Sequence, residues 1–197
     1  MYIRRGTATL VALIVLGMTG QALALDGYQD RRGFFTRVGV GGTANKVCHT
    51  ECGDRHLGLA LRLRAGVGLN QHFTGDFGVH LTSSKGEATN ALFGDSERSI
   101  SGIFLGANYY VGNGLYGRLS LGLSQLEETA TLLGGSVVAI DTKLAVEETG
   151  LAYGAEMGFE LFANADWAVA ISADIELHQY DDFDAQLFTL AITGTHY

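Results

Sequence analysis

Residues 57–69 read LGLALRLRAGVGL, and every odd position (Leu57, Leu59, Leu61, Leu63, Ala65, Val67, Leu69) is apolar. The even positions, Gly58, Ala60, Arg62, Arg64, Gly66 and Gly68, are small or basic. A period of two sustained this long predicts a β-strand, because a helix would scatter the leucines around its axis. The pattern returns at 151–161 (LAYGAEMGFEL), where Leu151, Tyr153, Ala155, Met157, Phe159 and Leu161 oppose Ala152, Gly154, Glu156, Gly158 and Glu160. At 167–178, Trp167, Val169, Ile171, Ala173, Ile175 and Leu177 oppose Ser172, Asp174, Glu176 and His178. Weaker versions at 33–42, 73–83, 99–111, 115–124 and 186–197 bring the total to eight predicted strands.

The connections alternate in length. Asn70-Gln71-His72, Gly112-Asn113-Gly114 and Ala163-Asn164-Ala165-Asp166 have the chemistry of tight turns. Longer loops are expected at 43–55, 84–98, 125–147 and 179–185. Eight antiparallel strands then form an all-β, up-and-down barrel, with short turns and both termini at one end and four long loops at the other.

A soluble lipocalin-like barrel or a β-sandwich also alternates, so the inward face must be argued. An eight-stranded barrel is only wide enough for side chains to fill, and the leucine-rich faces are too bulky to turn inward together. The opposite faces are Gly, Ala and Ser with scattered charges, a filling suited to a narrow lumen. The apolar faces are therefore expected to meet lipid. Phe73, Tyr109, Phe159 and Trp167 cluster near the short turns, as an interfacial girdle requires. All three lysines, Lys46, Lys85 and Lys143, fall in the expected long loops.

The 197-residue chain is 47% hydrophobic with 28 Gly and no Pro, a composition that excludes disorder and collagen-like order. Residues 1–24 read as a secretory signal peptide: Arg4 and Arg5, the apolar run Ala8–Met18, then Ala22-Leu23-Ala24 as a small-x-small cleavage site. A membrane-anchor helix is the alternative, but the apolar run is shorter than the roughly 20 residues a bilayer needs. Residues 25–197 are expected to form one barrel domain. Without Arg4 and Arg5 that domain has 11 basic and 21 acidic residues, a net charge of −10, which excludes nucleic acid as a partner.

LGLALRLRAGVGL, LAYGAEMGFEL, WAVAISADIEL and the C-terminal aromatic Tyr197 give residues 33–197 a resemblance to the small eight-stranded outer-membrane barrels of the OmpA/OmpX type. The resemblance implies a transmembrane β-barrel in a bacterial outer membrane, its long loops extracellular. It also implies contact with membrane lipid and lipopolysaccharide, and with barrel-assembly machinery through the C-terminal strand; a monomer is expected. One departure stands out. Tyr197 shares its parity with Thr193 and Thr195 rather than with Phe188, Leu190 and Ile192, and a bulge at Gly194 would restore the phase.

Alternation aims Arg37, Arg62, Arg64 and Arg118 into the lumen, with Asp76, Glu156, Glu160, Asp174 and Glu176. Charges in so narrow a space are expected to form networks, and Arg118 and Glu160, at similar heights above their turns, are expected to sit level. A structural plug is the main reading, and an ion path or proton relay the alternative. In the first loop Cys48 and Cys52 are expected to form a disulfide in the oxidising export compartment, with a zinc site using His49 or His56 as the alternative. Ser172, Glu176 and His178 share a parity and His80 points inward, but so loose a Ser/His/acid set recurs by chance; no catalytic residue and no cofactor is assigned. Asp181, Asp182 and Asp184, with Glu127, Glu128, Asp141, Glu147 and Glu148, make acidic loops, either solvated or bridged by divalent cations to lipopolysaccharide. Residues 129–140 are too apolar for a plain loop and are expected to extend the third hairpin. The expected role is structural or surface-interacting (adhesion, envelope integrity or lipopolysaccharide contact), with a narrow channel or a lipid A-modifying enzyme as alternatives.

Overall fold

The computed structural model describes residues 31–48, 52–53, 55–87, 93–111, 114–132, 143–163 and 166–197. Eight strands run β1 (Gly33–Cys48), β2 (His56–Gly68), β3 (Phe73–Glu87), β4 (Phe93–Val111), β5 (Leu115–Leu132), β6 (Lys143–Ala163), β7 (Trp167–Gln179) and β8 (Asp184–His196). Each pairs antiparallel with its sequence neighbours, and β8 returns to β1 from Thr36↔His196 to Cys48↔Asp184, closing the barrel. Closure leaves the ladder no open edge, as backbone crossing lipid demands. The short turns and residues 31 and 197 lie together, opposite the long connections. The proposed signal peptide lies outside the described residues.

The apolar face is the outer one. Leu59 is 74% exposed and Leu119 71%, whereas the lumen side chains Arg62 and Phe104 are 3% and 1% exposed. Phe73, Tyr109 and Trp167 stand exposed at the short-turn end; Phe159 is half-buried. Phe73 packs on Tyr109 with ring centroids 5.1 Å apart, and Trp167 meets His196 edge-on at 4.6 Å.

Several strands run further toward the loop end than the alternation indicates, most of all β5 and β6. The segments 43–55, 84–98 and 125–147 are consequently in large part strand, and Lys46, Lys85 and Lys143 lie at the loop-side ends of β1, β3 and β6 rather than in loops. The physical reason is visible in β4–β6. Above the apolar belt the outward residues become Ser99, Ser101, Gln125, Glu127, Glu147 and Thr149. The outward face is polar there and the apolar residues Ile100 and Leu126 now point inward, so the lipid-facing apolar pattern stops while the hydrogen-bond ladder continues, Ser99↔Glu127↔Glu147 included. Of residues 129–140, those up to Leu132 belong to β5, and 133–142 lie outside the described residues.

No bulge occurs at Gly194: the β8 register is continuous against both β1 and β7. Tyr197 keeps its inward phase and turns under the barrel, 6.1 Å from the Phe35 ring. His196 therefore takes the outward aromatic place beside Trp167.

An arginine placed at the outward positions Leu61 or Ile171 would meet hydrocarbon. Leu61→Arg and Ile171→Arg are each expected to cost about 2–4 kcal/mol near the bilayer midplane. Urea titration of barrel refolded into vesicles checks this; indifference to both substitutions would return the fold to a soluble one.

Candidate functional site

The lumen is the chemically dense part of the molecule, and its layers follow from the register. At the short-turn end Arg31 reaches inward and its Nη2 lies 2.6 Å from Glu160 Oε2, while the Tyr197 hydroxyl donates to Glu160 Oε1 at 3.1 Å. Burial pushes the Tyr197 phenol well above its ordinary value. The Arg31 guanidinium also lies 4.0 Å over the Tyr110 ring. One layer up, Arg37 has no carboxylate at ion-pair distance among the described residues. It donates to the Tyr110 hydroxyl at 2.5 Å and to Thr195 Oγ1 at 2.8 Å, and lies 5.0 Å over the Tyr116 ring.

The middle holds the strongest pairs. Arg64 Nη2 meets Glu156 Oε2 at 2.5 Å, and the Tyr116 hydroxyl donates to the other oxygen of Glu156 at 3.0 Å. Arg118 grips Asp76 with two nitrogens, at 2.7 and 3.1 Å, and Asn108 donates a third hydrogen bond to Asp76 at 2.6 Å. These are charge-assisted and forked, the strong class of hydrogen bond. Inward glycines give such side chains room. An added Cβ at Gly106 would lie 2.4–2.5 Å from the Arg118 guanidinium, and one at Gly158 would strike the Tyr116 ring.

Above them Arg62 pairs with Asp174, and His80 Nδ1 lies 2.5 Å from Glu176 Oε1. Arg64 Nε donates toward His80 Nε2 at 3.4 Å, so His80 carries its proton on Nδ1, facing Glu176. The other Glu176 oxygen lies 3.4 Å from His178 Nε2; His178 Nδ1 meets Ser124 Oγ at 2.8 Å, and Ser124 meets the Tyr180 hydroxyl at 3.2 Å. Tyr180 and Phe183, from the β7–β8 connection, then fold into the mouth with Val47, Ile100, Leu126, Ala185 and Leu187. Burial raises the Tyr180 phenol above its usual value. Beside this cap Arg98 forks onto Glu128 at 3.0 and 3.1 Å and donates to Asn45 Oδ1 at 3.1 Å.

All nine charges aimed inward by the alternation (Arg37, Arg62, Arg64, Arg118, Asp76, Glu156, Glu160, Asp174 and Glu176) are buried. Arg118 and Glu160 are not level, however. Arg118 pairs in register with Glu156, and Glu160 belongs to the bottom layer with Arg31. Counting residues up from separate turns ignores the stagger that barrel closure imposes on tilted strands. The serine beside His178 is Ser124 of β5, while Ser172 Oγ has no hydrogen-bond partner among the described residues. Ser124 is 2% exposed and tied to Tyr180, so this chain braces the β7–β8 connection.

Arg31 and Arg98 were missed in the sequence. Arg31 precedes β1, and Arg98 lies beyond the last legible residue of β4, although it shares the inward parity of Ile100, Phe104 and Asn108. The apolar cap was missed as well, because Tyr180 and Phe183 sit in a short connection dominated by aspartates.

At the loop end a disulfide joins Cys48 and Cys52. It consumes both thiols, so the alternative zinc set is not assembled; His56 turns into the lumen, 2% exposed, and His49 lies outside the described residues. The loop acids divide. Glu127, Glu147, Asp181, Asp182 and Asp184 are exposed, Glu128 is held by Arg98, Glu148 is half-buried, and Asp141 lies outside the described residues.

Neither a protein-family model nor a curated protein sequence matches the chain. Among solved structures it is similar to Ail, the attachment invasion locus protein of Yersinia pestis, with a TM-score of 0.60 at 15% identity, over 83% of this chain and 98% of that one. A second structure of Ail, in complex with the heparin analogue sucrose octasulfate, gives 0.61 at 16% over 83% and 99%. Neisserial surface protein A (NspA) gives 0.53 at 14% over 83% and 96%. At these identities the likeness is one of fold, and the fold is that of an eight-stranded outer-membrane β-barrel.

Removing one partner of a lumen pair strands its counter-charge. Arg118→Met is expected to destabilise the refolded barrel by about 3–5 kcal/mol, measured by urea unfolding in vesicles. A loss below about 1 kcal/mol, the range of exposed pairs, would show that Asp76 is solvated and the lumen open.

Proposed function

We propose that this outer-membrane-type barrel is an integral, monomeric surface protein whose lumen is a plug and whose loop end does the work: adhesion, envelope integrity or contact with lipopolysaccharide. The observation that carries the reading is the side-chain packing through the whole lumen. The Arg31–Glu160–Tyr197 layer stands at the bottom, forked ion pairs in the middle, and the Tyr180–Phe183 cap at the mouth. A channel needs a wet path; here successive levels are bridged by hydrogen bonds between opposite walls. A proton relay fares no better, because Arg64 stands between Glu156 and His80, and a guanidinium does not give up its proton.

With the lumen filled, the surfaces offered to partners are the apolar belt and the loop end. That end presents Glu97, Glu127, Glu147, Asp181, Asp182 and Asp184 alongside Lys85 and Arg55. Glu127 and Glu147 are direct cross-strand neighbours, and like charges so placed repel unless a cation lies between them. The acidic character favours a cationic partner, or lipopolysaccharide phosphates reached through divalent cations. A polyanion of the kind crystallised with Ail meets repulsion here unless a cation intervenes.

The rival class is a narrow channel, and conductance separates the two. Barrel reconstituted into planar bilayers is expected to give at most small, irregular events. Steady porin-sized current would overturn the plug and with it the assignment of function to the loop end.

A further inference from the structure

Along β4, β5 and β6 the outward face changes character in the same order toward the loop end. Ile103, Leu123 and Leu151 are apolar, Ser101, Gln125 and Thr149 come next and are neutral and polar, and Ser99, Glu127 and Glu147 follow. The register sets each trio side by side, as Ile103↔Leu123↔Leu151, Ser101↔Gln125↔Thr149 and Ser99↔Glu127↔Glu147. Ser101 and Thr149 are short beside the leucines and isoleucine below them. A groove of about 290 Å³ runs here, lined by Val79, Ser101, Ile103, Leu123, Gln125 and Thr149 among others, and none of its lining residues is charged. Its foot lies in the lipid-facing belt, where Ile103 and Leu123 are 47% and 50% exposed.

The polar groups above that foot sort by chemistry. The Ser101 and Thr149 hydroxyls can donate to the linkage oxygens of a lipid. Gln125 Nε2 donates to Glu147 Oε1, which leaves Gln125 Oε1 as an acceptor. Glu127 and Glu147 are exposed carboxylates on adjacent strands. One amide oxygen and two carboxylates thus stand together at the head of the groove, and all of them accept. The basic residues Lys85 of β3 and Arg98 of β4 are engaged elsewhere, Lys85 lying 3.9 Å from Glu97 and Arg98 being buried on Glu128. A primary ammonium, with three N–H donors and no acceptor, is the complement of this set. It also relieves the repulsion between the two neighbouring glutamates.

We propose that the groove binds one outer-leaflet lipid whose headgroup ends in a primary ammonium. The acyl chain lies on Val79, Ile103 and Leu123, the linkage oxygens meet Ser101 and Thr149, and the ammonium meets Gln125 Oε1, Glu127 and Glu147. Chain, linkage and amine follow one another in the lipid as apolar, hydroxyl and acidic residues do along these strands. The proposal deepens the loop-end reading by naming one cationic partner, and it rests on that reading.

Native mass spectrometry of barrel released from nanodiscs of equal phosphatidylethanolamine and phosphatidylcholine tests it. The two lipids share a phosphate and a net charge, and only the first has ammonium N–H donors. Wild type is expected to retain phosphatidylethanolamine over phosphatidylcholine about threefold to fivefold, the upper range of an exposed ion pair. Glu127→Gln and Glu147→Gln should each reduce that preference and together abolish it, so one variant shown to be folded by circular dichroism suffices. Ser101→Leu, which fills the groove, should abolish it too, while Asp184→Asn, at the start of β8, should behave as wild type. Equal retention by wild type, or an undiminished preference in the glutamate variants, overturns the site. In parallel discs of phosphatidylglycerol and phosphatidylcholine, a preference for phosphatidylglycerol that appears only with calcium would put a bridging cation in the ammonium's place and overturn it as well. Planar-bilayer conductance of the same wild-type preparation separates the groove from the reading beneath it. A silent barrel without lipid preference removes only the groove, whereas steady porin-sized current removes the loop-end reading.

Discussion

A barrel of eight strands encloses only enough room for side chains, and this chain fills that room with charge. Each charge taken from water must meet its opposite or, as Arg37 does, polar hydroxyls and aromatic faces, or the barrel carries a penalty of several kcal/mol per ion. That constraint shapes the rest of the molecule. Arg118 lies across Gly106 to reach Asp76 from two strands away, and Tyr116 occupies the space left by Gly158 to satisfy Glu156. Glu160, at the foot, draws in both ends of the described barrel through Arg31 and Tyr197. The abundance of glycine on inward positions is the complement of the large polar side chains beside them.

Lipid makes the fold legible, and the lack of lipid contact hides the rest. In 57–69 the bilayer demands an apolar residue at every outward position, so the period of two stands clear. Past Ile103 on β4 and Leu123 on β5 the outward residues are Ser101 and Gln125 while Ile100 and Leu126 turn inward, so the apolar phase inverts and the lipid-facing pattern no longer marks the strand. Arg98 was hidden for that reason. The inward identity of the nine central charges follows from parity alone, but their partners do not. Pairing depends on the stagger between strands, so Arg118 finds Asp76 and Glu160 finds Arg31. Tyr197, out of phase with the apolar face of β8, needs no bulge because its place is beneath the lumen rather than against lipid.

The two ends of the barrel have opposite characters. The loop end carries an acidic rim around an apolar cap, shaped on one side by the Cys48–Cys52 ring. The short-turn end carries Arg31 inward and Arg32 outward, on either side of one strand entrance. On the plug reading proposed above, the barrel positions its ends rather than conducting between them, and its functions are to be sought where water and headgroups begin.

The central claim is that the lumen charges are desolvated and act as pairs. A double-mutant cycle on Arg64 and Glu156, read by urea unfolding in vesicles, tests it most directly. Arg64→Met and Glu156→Leu should each destabilise by about 3–5 kcal/mol, and the double variant should recover most of that loss, because removing both members leaves no stranded charge. Additive losses, with no coupling between the two positions, would show a hydrated lumen and contradict the account.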